Sequence, residues 1–301
     1  MRFGVLGPLL VHDGDGPVDI AAPRQRTLLA ALVLRAGRAV PAEKLSEELW
    51  DGGPPAAAAV TLRTHVMRLR QVLGLKAAAR VLTRSGCYQL DVCEAEVDHL
   101  LFAALCSRGG AAAAAGRWRQ ADCALSEALG LWRGAPLADV ASECLRSETV
   151  PHLEQLRLQA LEWRNDARLS LGRHGELLAD LQALVAEHPL RERFHAQLML
   201  ALYRCGRYAD ALSAFRHARL LMVEELVSSP GPSCGNCTRG CSPRTGRSMS
   251  ATWHRPWSRP WTPCRSSCRQ RSAISPVGNA RWPRWPPNWV RLTLRRARGR
   301  W

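Results

Sequence analysis

The chain has 301 residues, with 42 Lys and Arg against 26 Asp and Glu, a formal charge of +16. At roughly 100–200 residues per domain, that length predicts two domains or three. A 47% hydrophobic and 23% charged composition fits a globular protein with material for sizeable cores, and no apolar run reaches the ~18 residues that a membrane-spanning helix needs.

The charge is unevenly placed. Residues 1–227 hold 27 basic and all 26 acidic residues, whereas 228–301 hold 15 Arg and no acid. The two parts therefore read as different kinds of sequence, and +16 is not by itself a sign of a nucleic-acid-binding surface. The opening Met1-Arg-Phe-Gly-Val-Leu-Gly-Pro-Leu-Leu-Val11 is too broken by Gly4, Gly7 and Pro8 for a signal peptide, and Asp13 and Asp15 follow at once. The six Cys of 1–227 are scattered without a C-x-x-C pair, so a reducing cytoplasm is expected.

In chain order, Phe3 to Val11 and Val18 to Ile20 read as short strands around an Asp13-Gly-Asp-Gly16 turn. Pro23 opens a helix over 24–35 whose stripe is Leu28, Leu29, Leu32 and Val33. A second short helix over 41–50 buries Leu45, Leu49 and Trp50, and Asp51-Gly-Gly-Pro-Pro55 turns the chain. A third helix, about 57–73, places Leu62, Val66, Leu69 and Leu73 on one face. Thr64, Met67, Arg68 and Gln71 fall on the other, flanked by Arg63 and Arg70. Between Asp51 and Asp91 there are six basic residues (Arg63, Arg68, Arg70, Lys76, Arg80, Arg84), one His and no acid. Residues 80–92 then read as a hairpin turning at Arg84-Ser85-Gly86.

Helix, helix, basic helix and hairpin is the order of a winged helix, and such a third helix suits the major groove. A basic helix face is also commonly a solvated surface, and it is the acid-free window that favours DNA. The expected DNA-binding residues are Arg63, Thr64, His65, Arg68, Arg70, Gln71, Arg80 and Arg84. Arg68 is the first choice for a base contact, because Arg to guanine is the commonest specific pairing. His65 reads equally as a packed side chain or a phosphate contact. Met67 reads as a contact to a thymine methyl or as a merely exposed side chain.

Met1-Arg-Phe-Gly-Val-Leu-Gly-Pro-Leu, Pro23-Arg-Gln-Arg-Thr-Leu-Leu-Ala-Ala-Leu, Leu49-Trp, Pro54-Pro55 and Thr61-Leu-Arg-Thr-His-Val-Met-Arg-Leu-Arg70 resemble the Streptomyces antibiotic regulatory protein family. The resemblance implies an OmpR-like winged helix followed by a bacterial transcriptional activation domain. It also implies that Thr64 and Arg68 face bases while His65 and Arg70 lie near phosphates. Met67 departs from the polar or basic residue that often stands at its position.

Residues 96–227 are nearly neutral, with 15 basic and 17 acidic residues. A pattern recurs in Gly116-Arg-Trp118…Ala121, Gly172-Arg-His174…Leu177 and Gly206-Arg-Tyr208…Ala211, followed by Leu125 and Ala128, Leu181 and Leu184, and Phe215 and Ala218. The last two glycines stand 34 residues apart, the tetratricopeptide period, and the first interval of 56 implies an insertion near Leu131–Leu137. Such helical hairpins stack into a surface for protein partners. Leu131-Trp-Arg-Gly and the segments 179–193 and 198–212 resemble the family's activation domain. That implies contact with RNA polymerase, through its sigma or alpha subunit, and pairing or dimerisation on DNA at direct repeats.

The segment 228–301 is low in complexity and rich in Arg, Pro, Trp and Cys. Cys234, Cys237, Cys241, Cys264 and Cys268 lack the paired spacing of a zinc knuckle, and its interleaved Arg and Trp are open to a single-strand-stacking reading. Read one base out of register with GC-rich codons, residues 227–238 give Val-Glu-Pro-Gly-Pro-Glu-Leu-Arg-Glu-Leu-His, the continuation that the family resemblance implies. A frameshift near Leu226-Val227 is the expected origin of this tail, and disorder its expected state.

No Walker A run, H-E-x-x-H or G-x-S-x-G motif occurs. The expectation is a mainly α, non-enzymatic and cytoplasmic activator of a secondary-metabolite gene cluster. An N-terminal winged helix-turn-helix (1–95) precedes a tetratricopeptide-like all-α domain (96–227). Double-stranded DNA and RNA polymerase are the expected partners, with no cofactor, metal or membrane. The competing class is a helical scaffold, or truncated regulator, that no longer binds DNA specifically.

Overall fold

The first nine residues after Arg2 do not make a single strand. Gly7 (φ +152°) and Pro8 break the run, and Phe3–Val11 folds back on itself. Strands β1 (Arg2–Gly4) and β2 (Leu10–Asp13) pair antiparallel with Phe3 opposite Val11. β3 (Gly16–Pro17) adds to β2, and Val18–Ile20 lies beyond the strand. The structure is a computed structural model, and it describes residues 1–13 and 16–228. The readings made of Gly14-Asp15 and of the tail from 229 onward, zinc, stacking, frame and disorder alike, lie outside the described residues.

Pro23 stands at the first position of α1 (Pro23–Leu34), where its missing N–H costs nothing. β4 (Val40–Pro41) leads into α2 (Ala42–Leu49), and a Gly/Pro loop leads into α3 (Ala58–Ala78). Gly74 (φ +73°, ψ +168°) breaks the helical path of α3, so the continuous helix ends at Leu73. β5 (Val81–Arg84) and β6 (Cys87–Leu90) form the hairpin, and β4 joins it in a sheet of order β4-β6-β5. Ser85 (φ +28°) and Gly86 (φ +80°) both lie at positive φ, as a two-residue turn matched to strand twist requires.

After a 3-10 turn at Glu94–Glu96 the chain is helical: α4 (Asp98–Ala114), α5 (Trp118–Leu129), α6 (Glu143–Ser170), α7 (Leu178–Glu187), α8 (Glu192–Arg204) and α9 (Tyr208–Ser228). Gly116, Gly172 and Gly206, all at positive φ, make the turns α4–α5, α6–α7 and α8–α9 that the repeat pattern predicts. Ala121, Leu125 and Ala128 are buried as expected, as are Leu177 and Leu181. Phe215 is not. It remains 49% exposed, although Ala211 and Ala214 of the same helix pack on the cluster of Leu181, Leu198 and Leu202.

Residues 1–222 form one compact unit, and its core does not stop at residue 95. Phe3, Val5, Leu28, Leu32, Leu62, Leu69 and Leu90 share one buried cluster with Val97, Leu137, Val140 and Leu145. The expected insertion supplies the contact. It crosses the segment after β1, where Arg133 N donates to Leu6 O (2.8 Å) and Leu137 N to Val5 O (3.1 Å). Asp98 accepts from the amides of Val5 and Leu6 (2.9 and 3.0 Å), and Asp139 from that of Leu9 (2.7 Å). At the start of α6, Ser142 Oγ donates to Glu48 O (2.6 Å) and accepts from Leu145 N (3.2 Å).

Candidate nucleic-acid interface

Leu62, Val66, Leu69 and Leu73 are buried and seat α3 on α1 and α2. That choice of inner face fixes the outer one, since residues one or two positions away on a helix point elsewhere. Arg63, Met67, Arg68 and Gln71 are exposed on α3, and Arg84 is exposed at the tip of the β5–β6 hairpin. Among the described residues, Arg63, Arg68 and Arg84 enter no ion pair, so their charge is available to a partner.

The remaining predicted residues are placed otherwise. Thr64 is half-buried, and its hydroxyl donates to Val60 O one turn back (3.3 Å). Arg70 lies across the hairpin base, with Nε donating to Val81 O (3.1 Å) and Nη2 to Thr83 Oγ1 (2.8 Å). It ties the basic helix to the hairpin. Arg80 faces the other way and pairs with Glu96 (2.6 Å). Glu96 feels an upward push from burial, but the bonds from Arg80 and from the Cys93 amide (3.0 Å) overcome it and hold the carboxyl at about 2.

His65 is half-buried with its ring edge-on to Trp50, 6.3 Å between centroids. Burial first, then the charges of Arg24 and Arg68, lower its pKa. The shift favours the uncharged form of a ring that lies at the rim of the core. Arg24 escaped the sequence reading. It is exposed in the first turn of α1 and stacks over the Trp50 ring, 5.5 Å from the centroid. A cation at a helix N-terminus has the unfavourable sign for the helix dipole, and that was the available signal. Arg24 and Arg68 both act on the His65 ring, so the cations of α3 continue onto the first turn of α1, while Arg84 stands exposed at the hairpin tip.

Residues 19–87 match the family described as transcriptional regulatory protein, C terminal, and residues 97–238 match the bacterial transcriptional activator domain. The regulatory protein DnrI of Streptomyces peucetius is 37% identical over 238 residues, which span 76% of this chain and 88% of DnrI. The chain belongs to the Streptomyces antibiotic regulatory protein family of transcriptional regulators. The regulatory protein AfsR of Streptomyces griseus is 40% identical over 232 residues, 77% of this chain but 23% of AfsR, so this family member spans under a quarter of that relative. Among solved structures, Mycobacterium tuberculosis EmbR, in complex with a low-affinity phosphopeptide, superposes with a TM-score of 0.72 at 33% identity. That superposition covers 77% of this chain and 62% of EmbR. The fold is accordingly a winged helix followed by a helical activator domain, and no helix among the described residues is long and apolar enough to cross a membrane.

Proposed function

We propose that the chain activates transcription of a secondary-metabolite gene cluster by seating α3 in the major groove of direct repeats near the promoter. The helical region 96–227 then recruits RNA polymerase through its sigma or alpha subunit. The observation that carries this reading is the outward face of α3, where Arg63 and Arg68 are exposed and free of acidic partners among the described residues while Leu62, Val66 and Leu69 are buried in the core behind them. Arg68 reads a base. Arg63, Arg24 and the wing residue Arg84 take phosphates, which fix register without reading sequence. Gln71 is exposed one turn beyond Arg68 on the same face and adds a hydrogen-bonding side chain.

A gel shift or footprint with the full chain at ~150 mM salt tests the reading, because non-specific binding weakens steeply there. A protected site that survives that salt supports it, and uniform weak binding to any duplex refutes it. Arg68→Ala is expected to cost about 1–3 kcal/mol on the specific site and to relax the preference at one base pair. An equal loss on random DNA would rule out base readout by Arg68.

A further inference from the structure

The outward face of α3 is not purely basic. Val60 is 64% exposed and Met67 54% exposed, two large apolar side chains on the side that faces away from the core. Seven residues apart, they share one face about 10.5 Å apart along the axis, close to three base steps at ~3.4 Å each. Thr64 lies between them with its hydroxyl donated to Val60 O, while Arg63 and Arg68 flank the row. A face built only to grip phosphates has no use for a thioether and an isopropyl group. The apolar feature on the major-groove edge of a base pair is the thymine C5-methyl group.

Resting on the DNA-reading role proposed above, we propose that Met67 is a specificity-determining residue that packs on a thymine methyl group, next to the base read by Arg68. The charge pattern commits this face to duplex DNA: cations flank it on α3 and stand beyond it on the wing, and no acid lies between Asp51 and Asp91 in sequence. Met67 suits the role because its unbranched thioether adjusts to a methyl group at low steric cost. Arg68 reads its own base, and Met67 adds discrimination between thymine and the other pyrimidine.

The experiment first enriches a preferred duplex from a random pool with the full chain at ~150 mM salt, then replaces each thymine singly by deoxyuridine, which removes the methyl group alone. The wild-type chain is expected to lose affinity roughly fourfold at one such position, the worth of one buried methyl group. Met67→Ala should bind the thymine and deoxyuridine duplexes equally at that position, while Arg68→Ala keeps the wild-type sensitivity to the swap. Met67 is exposed, so the alanine variant keeps its fold, and an unchanged thermal transition checks this. If every deoxyuridine swap is silent for the wild type, or Met67→Ala stays as sensitive as the wild type, the proposal is overturned. A failure to enrich any sequence would instead overturn the DNA-reading role itself, and with it this inference.

Discussion

Arg68, Arg70 and Arg80 stand in the same acid-free window, yet each is placed differently. Arg68 points outward, Arg70 holds the wing, and Arg80 neutralises Glu96. Glu96 also lies 3.6 Å from the N-terminal amine, so one carboxyl joins the chain start, the hairpin base and the turn before α4. The Glu96 carboxyl is lowered from 4.5 to about 2 in the fold, so its stabilisation is present above pH 4.5 and is lost as pH falls toward 2. Glu96→Gln is expected to lower the urea midpoint at neutral pH, with the gap to wild type closing across that acid window. Denaturant titrations at a series of pH values check this, and a gap that stays constant with pH would show that the charge is not what Glu96 contributes.

At the scale of elements, two small residues let α4 lie close to its neighbours. A Cβ on Gly109 would come 2.5 Å from Leu125 of α5, and one on Gly110 would come 3.0 Å from Trp163 of α6. Gly109→Ala would ordinarily gain about 1 kcal/mol of helix propensity. Here Leu125 is fully buried and has nowhere to move. The substitution is therefore expected to destabilise by about 1–3 kcal/mol through overpacking, measurable as a lower thermal midpoint. The turn glycines were legible from sequence because a helix end at positive φ needs Gly. The close approach at Gly109 was not, since it depends on which residue the neighbouring helix brings opposite. For the same reason Phe215 matched the repeat pattern and yet lies exposed. A periodic position becomes core only when another element covers it.

For the molecule as a whole, the loop between α5 and α6 and the start of α6 bind the winged helix to the helical region. Ser142 caps α6 and also accepts a place in the α2 terminus, where Asp51 Oδ1 is 2.9 Å from its hydroxyl and 3.1 Å from Cys144 N. Asp51 itself sits at φ +49°, which few non-glycine residues adopt. Ser142→Ala is expected to cost about 1–3 kcal/mol, because it removes a cap and leaves buried polar groups unpaired. Since the core cluster spans both parts, residues 1–222 should melt in a single calorimetric transition in the wild type and in the variant. Two resolved transitions would show that the clasp does not couple them.

Much was settled locally. The alternation of apolar and basic residues over 58–73 fixed a helix with one buried and one cationic face, whatever packs behind it, because helical geometry alone separates those positions. The Ser85-Gly86 turn and the glycine-led repeats were fixed in the same way by backbone sterics. Tertiary structure decided which cations remain available, since Arg70 and Arg80 find partners 11 and 16 residues away while Arg63 and Arg68 find none in the described fold. It also brought Arg24 beside Trp50 and set residues 133–142 against the segment after β1 and against α2, contacts between segments whose proximity no local pattern encodes.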